Sequence, residues 1–317
     1  MRIVSLIPSA TEMVHALGLG DQLVAISHDC DFPPSVRRHP VVTRSFVPRG
    51  VSSGEIDRAV RELRSAPAGA SGALYELDVD ALEELRPDLI LTQALCTVCA
   101  VSEEEVHVAA RRLPGPPEVV NLEARSLQEV WDGIRLVAAK AGVEARGDEV
   151  AGRLHARVRE VAARSVSARP VPMAFIEWLD PPFACGHWNP ELVRMAGGLD
   201  PHGRGGEPAQ VIDWERVADA RPELIFVAAC GFGVERTLED LPALARMPRW
   251  RDVPAVRDGR VYVTDGSQYF SRPGPRLVDS LEILAHAVDP ELHPPPAGAP
   301  AAVRVDVRAM VGARATS

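Results

Sequence analysis

The chain has 317 residues, 46% of them apolar, which is ample for two buried cores and sets two domains as the expectation. A formal net charge of -9 at pH 7, with no long Lys/Arg block to offset it, argues against a nucleic-acid partner. No uninterrupted apolar run approaches the ~18 residues of a conventional membrane span.

Arg2 to Ile7 reads as a strand that nothing resembling a secretory signal precedes, so a cytoplasmic location is expected. Five cysteines, an odd number, fit a reducing compartment rather than a disulfide scaffold. Ser9 with Glu12 three residues on reads as the N-cap of a helix closing before Gly18. Gln22 to Ser27 is a second strand, followed by His28-Asp29-Cys30-Asp31. Residues 36–73 carry scattered Pro, Gly and Arg and offer room for one helix, Ser53 to Leu63. A helix over Asp80 to Leu85 stops at Pro87, and the apolar strand Leu89 to Thr92 leads into a loop holding Cys96 and Cys99. Ser102 with Glu105 opens the next helix, and Glu118 to Asn121 closes the first half as a strand.

From Ser126 to about Ser165 the pattern is helical. Ser126 and Glu129 form a capping box, Val130, Ile134 and Val137 share a face, and Gly142 interrupts. The second part, Ala145 to Ser165, aligns Val150, Leu154, Val158 and Val161 on one stripe. A helix of about 20 residues is about 30 Å long, enough to serve as a strut between two halves.

Beyond the strut the same grammar returns. Val171 to Glu177 is a strand, Trp178 to Trp188 a loop, and Pro190 to Ala196 a helix. Ala218 to Val227 repeats the pattern of Glu83 to Thr92, a helix end, a proline and a buried strand. Arg260 to Thr264 is the last strand, Pro275 to Val288 the terminal helix, and the Pro/Ala-rich remainder a disordered or loosely packed tail. The domain reading is therefore 1–125, a connecting segment 126–168, 169–290, and a tail 291–317. The fold class is α/β, with mostly parallel sheets covered on both faces.

In such sheets ligands bind beyond the carboxyl ends of the strands, and Cys30, Cys96, Cys99, Cys185 and Cys230 all follow strands. At least three are expected around one cleft. A free cysteine is also readable as a small buried hydrophobe, Cys230 as readily as not and Cys96 and Cys99 less so. The Cys96-Thr97-Val98-Cys99 spacing permits metal chelation or reversible disulfide chemistry. A closed zinc site needs further ligands from Cys30, His28, Cys185 or His187. His187 is a metal ligand or a surface histidine stacked on Trp188. Trp178, Phe183, Trp188, Tyr269 and Phe270 concentrate aromatic surface after strands and point to a large flat apolar ligand, with some of them packing the faces instead. Asp180, Glu177 and Glu12 are acid/base candidates for which spacing supplies no partner, and Ile7 to Thr11 lacks the glycines of a dinucleotide site.

The stretch Ile3 to Glu12, the strand Pro87 to Leu91, the middle strut and Asp258 to Tyr262 together resemble the helical-backbone substrate-binding proteins of ABC importers, of the vitamin B12 and iron-siderophore type. The His28-Asp29-Cys30 segment, Cys96 to Ala100 and Glu177 to Trp188 are similar to a cobalamin-binding-like subgroup. The resemblance implies two Rossmann-like lobes joined by a rigid helix, one ligand in the cleft between them, and no catalysis. The expected ligand is a cobalamin-like corrinoid or another large metal chelate. The expected protein is a monomer, with an ABC permease as partner only if the chain is exported. Two other readings stay open. Cys30, Cys96, Cys99, Cys185 and His187 gather around zinc, iron or another soft metal, or Cys96 and Cys99 cycle as a redox pair; alternatively, the chain is an interaction module in the cytoplasm.

Overall fold

The short apolar stretches of the first half pair as parallel strands in the computed structural model, which describes residues 1–65, 74–93 and 101–307. The chain divides into two compact units. The first comprises Met1–Val51, Glu55–Ala124 and Gln128–Arg153, and the second Ser52–Gly54, Arg125–Leu127 and the chain from Leu154 onward.

In the first unit, β1 (Ile3–Ser5) and β2 (Leu23–Ile26) are followed by the short strands β3 (Thr43–Ser45) and β4 (Tyr75–Leu77), then by β5 (Leu89–Thr92) and β6 (Glu118–Asn121). The main sheet has the order β2-β1-β5-β6 and every pairing is parallel. Parallel neighbours require crossover connections, which the helices Pro8–Ala16 and Glu103–Arg112 supply. Val4, Leu6, Ile90, Leu82, Val106 and Ala110 meet in the core beside the sheet. β3 and β4 pair antiparallel, giving structure to the flanks of a region whose sequence offers only one helix, observed as Ser53–Ser65.

Helix starts follow local chemistry. Ser102 and Glu105 form the expected reciprocal capping box, and Asp78 caps Val79–Leu85 by accepting from the Ala81 amide at 2.9 Å. The expected Ser9 cap is corrected. The first helix starts at Pro8 with Ile7 as an N-cap that has no side-chain bond, and Ser9 lies buried inside the first turn. Proline's fixed φ suits the first helical position, so the start moves one residue earlier.

The second unit contains β7 (Val171–Leu179), β8 (Pro182–Ala184), β9 (Gly186–His187), β10 (Gly198–Leu199), β11 (Arg204–Gly205), β12 (Gln210–Val211), β13 (Leu224–Val227), β14 (Val261–Val263) and β15 (Val303–Arg304). Its sheet runs β12-β8-β7-β13-β14-β15, with β10 also on β7, while β9 and β11 pair separately. The centre, β7-β13-β14, is parallel as expected. The margins β12-β8-β7 and β14-β15 are antiparallel, which agrees with the mostly parallel sheet expected. The expected loop after Glu177 is a hairpin instead: β7 continues to Leu179 and returns as β8, with Leu179 opposite Pro182.

The helices Leu127–Lys140 and Glu144–Ser165 are separated at Gly142, whose φ of +69° is available to glycine at little cost. The longer helix is continuous and contributes residues to both units. The loosely packed tail is corrected for residues 291–307: His293, Val305 and Val307 are buried and β15 pairs with β14. The alternation Val303, Val305, Val307 is the strand signal that the surrounding Pro and Ala obscure.

Arg157 on the long helix donates to Asp279 at 2.7 Å and to Glu282 at 2.8 and 3.0 Å on the C-terminal helix. Both carboxylates are more enclosed than the guanidinium, so removing the cation strands two acids that have already lost most of their water. Arg157→Ala is expected to lower unfolding stability by roughly 1–3 kcal/mol, toward the low end because the arginine is partly solvated. Urea unfolding checks this, and an unchanged midpoint would refute it.

Candidate functional site

At the carboxyl edge of the first sheet, a hydroxyl network encloses Cys30. Thr11 Oγ1 donates within a cluster that includes Ser5 Oγ at 2.8 Å and Cys30 Sγ at 3.0 Å, and Ser27 Oγ lies 3.1 Å from the same sulfur. His28 Nδ1 is 2.7 Å from Thr43 Oγ1, which also accepts from the His28 amide at 3.0 Å. His28 Nε2 lies 3.2 Å from the Asp29 carboxylate. The ring stacks on Tyr75. Cys96 and Cys99 lie outside the described residues.

The second unit places its chemistry at the end of β7. Ile176 opposes Ala184 but Trp178 opposes Phe183, so Glu177 is the extra residue of a bulge that re-aims its side chain. Its Oε1 accepts from the Gly186 amide at 3.0 Å and from Asn189 Nδ2 at 2.6 Å. Asn189 Nδ2 also reaches the Phe270 carbonyl at 3.4 Å, to which Trp188 Nε1 donates at 3.0 Å. The Glu177 residue is half-buried, but its carboxyl is enclosed. Burial pushes it up to about 8 against the two donors, with Cys230 and Asp200 adding to the rise.

Asp200 is also raised by burial, although the amides of Phe175 and His202 donate to it at 3.0 and 2.9 Å. Cys185 Sγ lies 3.8 Å from Asp200 Oδ2, and burial with that neighbouring acid pushes its thiol well up. A thiol held protonated is a poor metal ligand. Gly186 is required by space, since a Cβ there would meet Ala209 N at 2.3 Å. His187 takes a left-handed φ of +50° and stacks on Trp188, and its Nε2 is enclosed without a hydrogen-bond partner. Burial, then the Arg125 charge, lowers its pKa and keeps the ring neutral.

The aromatic expectation divides. Trp188, Tyr269 and Phe270 are buried, and Phe270 packs edge-on against Phe175 and Phe226 in the core of the unit. The Trp188 indole is anchored on the Phe270 carbonyl and Phe270 is a core phenyl, so the half-buried aromatic surface lies elsewhere. Trp178 and Phe183 remain half-buried and form a cross-strand pair at the hairpin end. Phe232, which the sequence reading passed over, lies 5.1 Å from Trp178 and carries the Arg236 guanidinium 4.6 Å above its ring. Its position between Gly231 and Gly233, just after β13, was the available signal. Asp180 is exposed at the hairpin turn and Cys230 is exposed after β13. Among the described residues no group of three or more His, Cys, Asp or Glu is arranged to hold a metal ion.

This architecture, two α/β units with a helix continuing from one into the other, is that of a substrate-binding protein. Residues 3–267 match the family described as Periplasmic binding protein, and the chain belongs to that family. It is 23% identical over 288 residues to the vitamin B12-binding protein of Vibrio cholerae, covering 89% of this chain and 86% of that one. It is also 23% identical to the uncharacterized ABC transporter substrate-binding lipoprotein YvrC of Bacillus subtilis, over 92% of this chain and 80% of the relative. Among solved structures, a periplasmic heme-binding protein from Pseudomonas aeruginosa superposes with a TM-score of 0.65 at 20% identity, covering 91% of this chain and 92% of that one. None of the helices among the described residues is long and apolar enough to cross a membrane.

The raised Glu177 carboxyl links folding to pH. Its folded pKa lies above the unfolded value of 4.5, so its contribution to stability is fully present below about pH 4.5 and is lost as pH rises toward about 8. Glu177→Gln is expected to flatten that loss, which is on the order of a few kcal/mol at about 1.4 kcal/mol per pH unit. Urea unfolding of both proteins at pH 5, 6.5 and 8 measures it, and parallel pH profiles would contradict the assignment.

Proposed function

We propose that this chain is a non-catalytic binding protein for a large flat metal chelate, with a cobalamin-like corrinoid as ligand and an ABC permease as partner. The observation that carries the reading is the family match over residues 3–267, together with near full-length likeness to proteins named for vitamin B12 and for heme. Both molecules are broad tetrapyrrole-type macrocycles around a metal. A site for such a ligand needs apolar, aromatic faces and a few fixed polar groups at the carboxyl ends of strands. Trp178 and Phe183 supply the first at the end of β7, backed by the buried ring of Phe232 after β13. The bulge at Glu177 supports the second, because an anchored turn holds its donors in place without help from the ligand.

The test is titration of the purified protein with cyanocobalamin, hydroxocobalamin and hemin, followed by absorption spectroscopy and calorimetry. Saturable one-site binding of a corrinoid is expected. Trp178→Ala is expected to weaken it about tenfold, the equivalent of about 1.4 kcal/mol of lost aromatic contact. Absence of saturable binding to all three would overturn the proposal, and exclusive binding of hemin would replace the corrinoid by a porphyrin.

A further inference from the structure

The buried histidine at the start of the C-terminal segment belongs to no ligand-binding argument, and its surroundings single it out. His293 is 2% exposed. Its Nε2 lies 3.0 Å from Ser165 Oγ, the last residue of the long helix, and its carbonyl is 2.9 Å from His286 Nδ1 on the C-terminal helix Leu277–Val288. The turn that delivers it is built by Asp289, whose Oδ1 accepts from the amides of Glu291 and Leu292 at 3.1 and 3.2 Å and whose carbonyl accepts from the His293 amide at 3.0 Å. Ten positions beyond His293, β15 adds a strand to the edge of β14, and Val305 N just after it donates to the Val261 carbonyl at 2.8 Å.

We propose that His293 is a proton-sensitive catch for the C-terminal strap, residues 290–307, holding it against the second unit when the imidazole is neutral and loosening it when the ring is protonated. The hydrogen-bond pattern gives the reason. Ser165 Oγ also lies 3.5 Å from the Val161 carbonyl, so the hydroxyl donates back along its helix and accepts from His293 Nε2–H. In that tautomer Nδ1 carries a lone pair, and it is enclosed with no hydrogen-bond partner. An unused acceptor is tolerated. Protonation converts it into a charged donor with nothing to donate to, in a place already closed to water.

The charged and titratable groups that face the ring are Arg164 from the long helix, and Asp289 and His286 from the end of the C-terminal helix. Arg164 and His286 oppose a positive imidazole, and only Asp289 favours it. One Asp289 oxygen is already engaged by two turn amides. Burial, then Arg164, therefore lowers the His293 pKa from its ordinary 6.5, with His286 acting in the same direction. By linkage, a base whose folded pKa is depressed stabilises the folded form above the unfolded pKa and loses that contribution as pH falls below about 6.5.

Hydrogen exchange by mass spectrometry on the full chain at pH 7.5, 6.5 and 5.5, corrected for intrinsic exchange, reads the strap directly. Protection of residues 290–300 is expected to fall at least tenfold between pH 7.5 and 5.5 while the centre of β7 keeps its protection. His293→Gln, which supplies a side-chain N–H donor without a titratable ring, is expected to lack that step. If the substitution fails to fold, the wild-type His293 ring titration by NMR carries the test: its midpoint should lie below 6.5 and coincide with the exchange step. Constant protection in the wild type, a step that survives His293→Gln, or a ring midpoint at or above 6.5 would each overturn the proposal.

Discussion

The pairing of β7 with β13 is the contact on which the second unit rests. Met173, Ala174, Phe175 and Ile176 stand opposite Leu224, Ile225, Phe226 and Val227, and all eight are buried. Such residues have given up water on both faces, so their backbone groups must be satisfied by neighbouring strands, and each neighbour is thereby fixed in register. The Cys230 amide donates to the Glu177 carbonyl at 3.0 Å and the Thr264 amide to the Val227 carbonyl at 3.0 Å, which carries the alignment past the ends of the strands. Two close approaches depend on the same alignment. A Cβ on Gly266 would lie 2.3 Å from the Ala229 carbonyl, and one on Gly186 would lie as near to Ala209 N. Glycine is the residue that lets strand ends crowd together in this way.

With β7 fixed, the bulge at Glu177 decides what the strand end offers. A regular strand would pair each residue in turn with β8, but the slip between Ile176 and Trp178 lets Trp178 meet Phe183 while Glu177 turns toward Gly186 and Asn189. The strand therefore hands one residue to an aromatic surface and the next to a polar anchor. Trp188 and Phe270 complete the anchor from behind, linked through the Phe270 carbonyl.

Much of this was legible in the sequence where a single local rule governs. The strand Leu89–Thr92 and the strand Glu118–Asn121 fall where apolar runs place them, and Ser102 with Glu105 forms the capping box that their spacing announces. The repeated helix-end, proline and strand pattern is also physical. Arg86 and Arg221 precede Pro87 and Pro222, and both take left-handed φ values, 45° and 50°, at the end of a helix that the following proline does not continue. What escaped reading depends on distance along the chain. β3 and β4 are three residues each and are separated by about thirty residues, too short for alternation to reveal either. Asn189 meets Glu177 only because the hairpin returns, so no helix or strand period could have paired them. Burial of Trp188 and Phe270 followed the same logic: an aromatic after a strand serves a ligand or a core equally well until the packing partner is known.

Glu177 illustrates why a perturbed carboxyl need not be a catalyst. Raised acids concentrate at active sites, but structural networks raise them too, and the two cases differ in what the oxygens face. Here Oε1 is occupied by a backbone amide and a buried asparagine, both belonging to the turn that the acid holds. With its carboxyl pushed up to about 8, Glu177 is predominantly protonated at neutral pH, so the turn is fixed by hydrogen bonds without a net charge at the strand end. A charge there would have to be desolvated whenever an apolar face came to rest on the neighbouring Trp178 and Phe183, and a neutral anchor removes that cost. The arrangement suits a protein whose task is to hold a shape in readiness, since rigidity bought before the ligand arrives is affinity that binding does not have to spend.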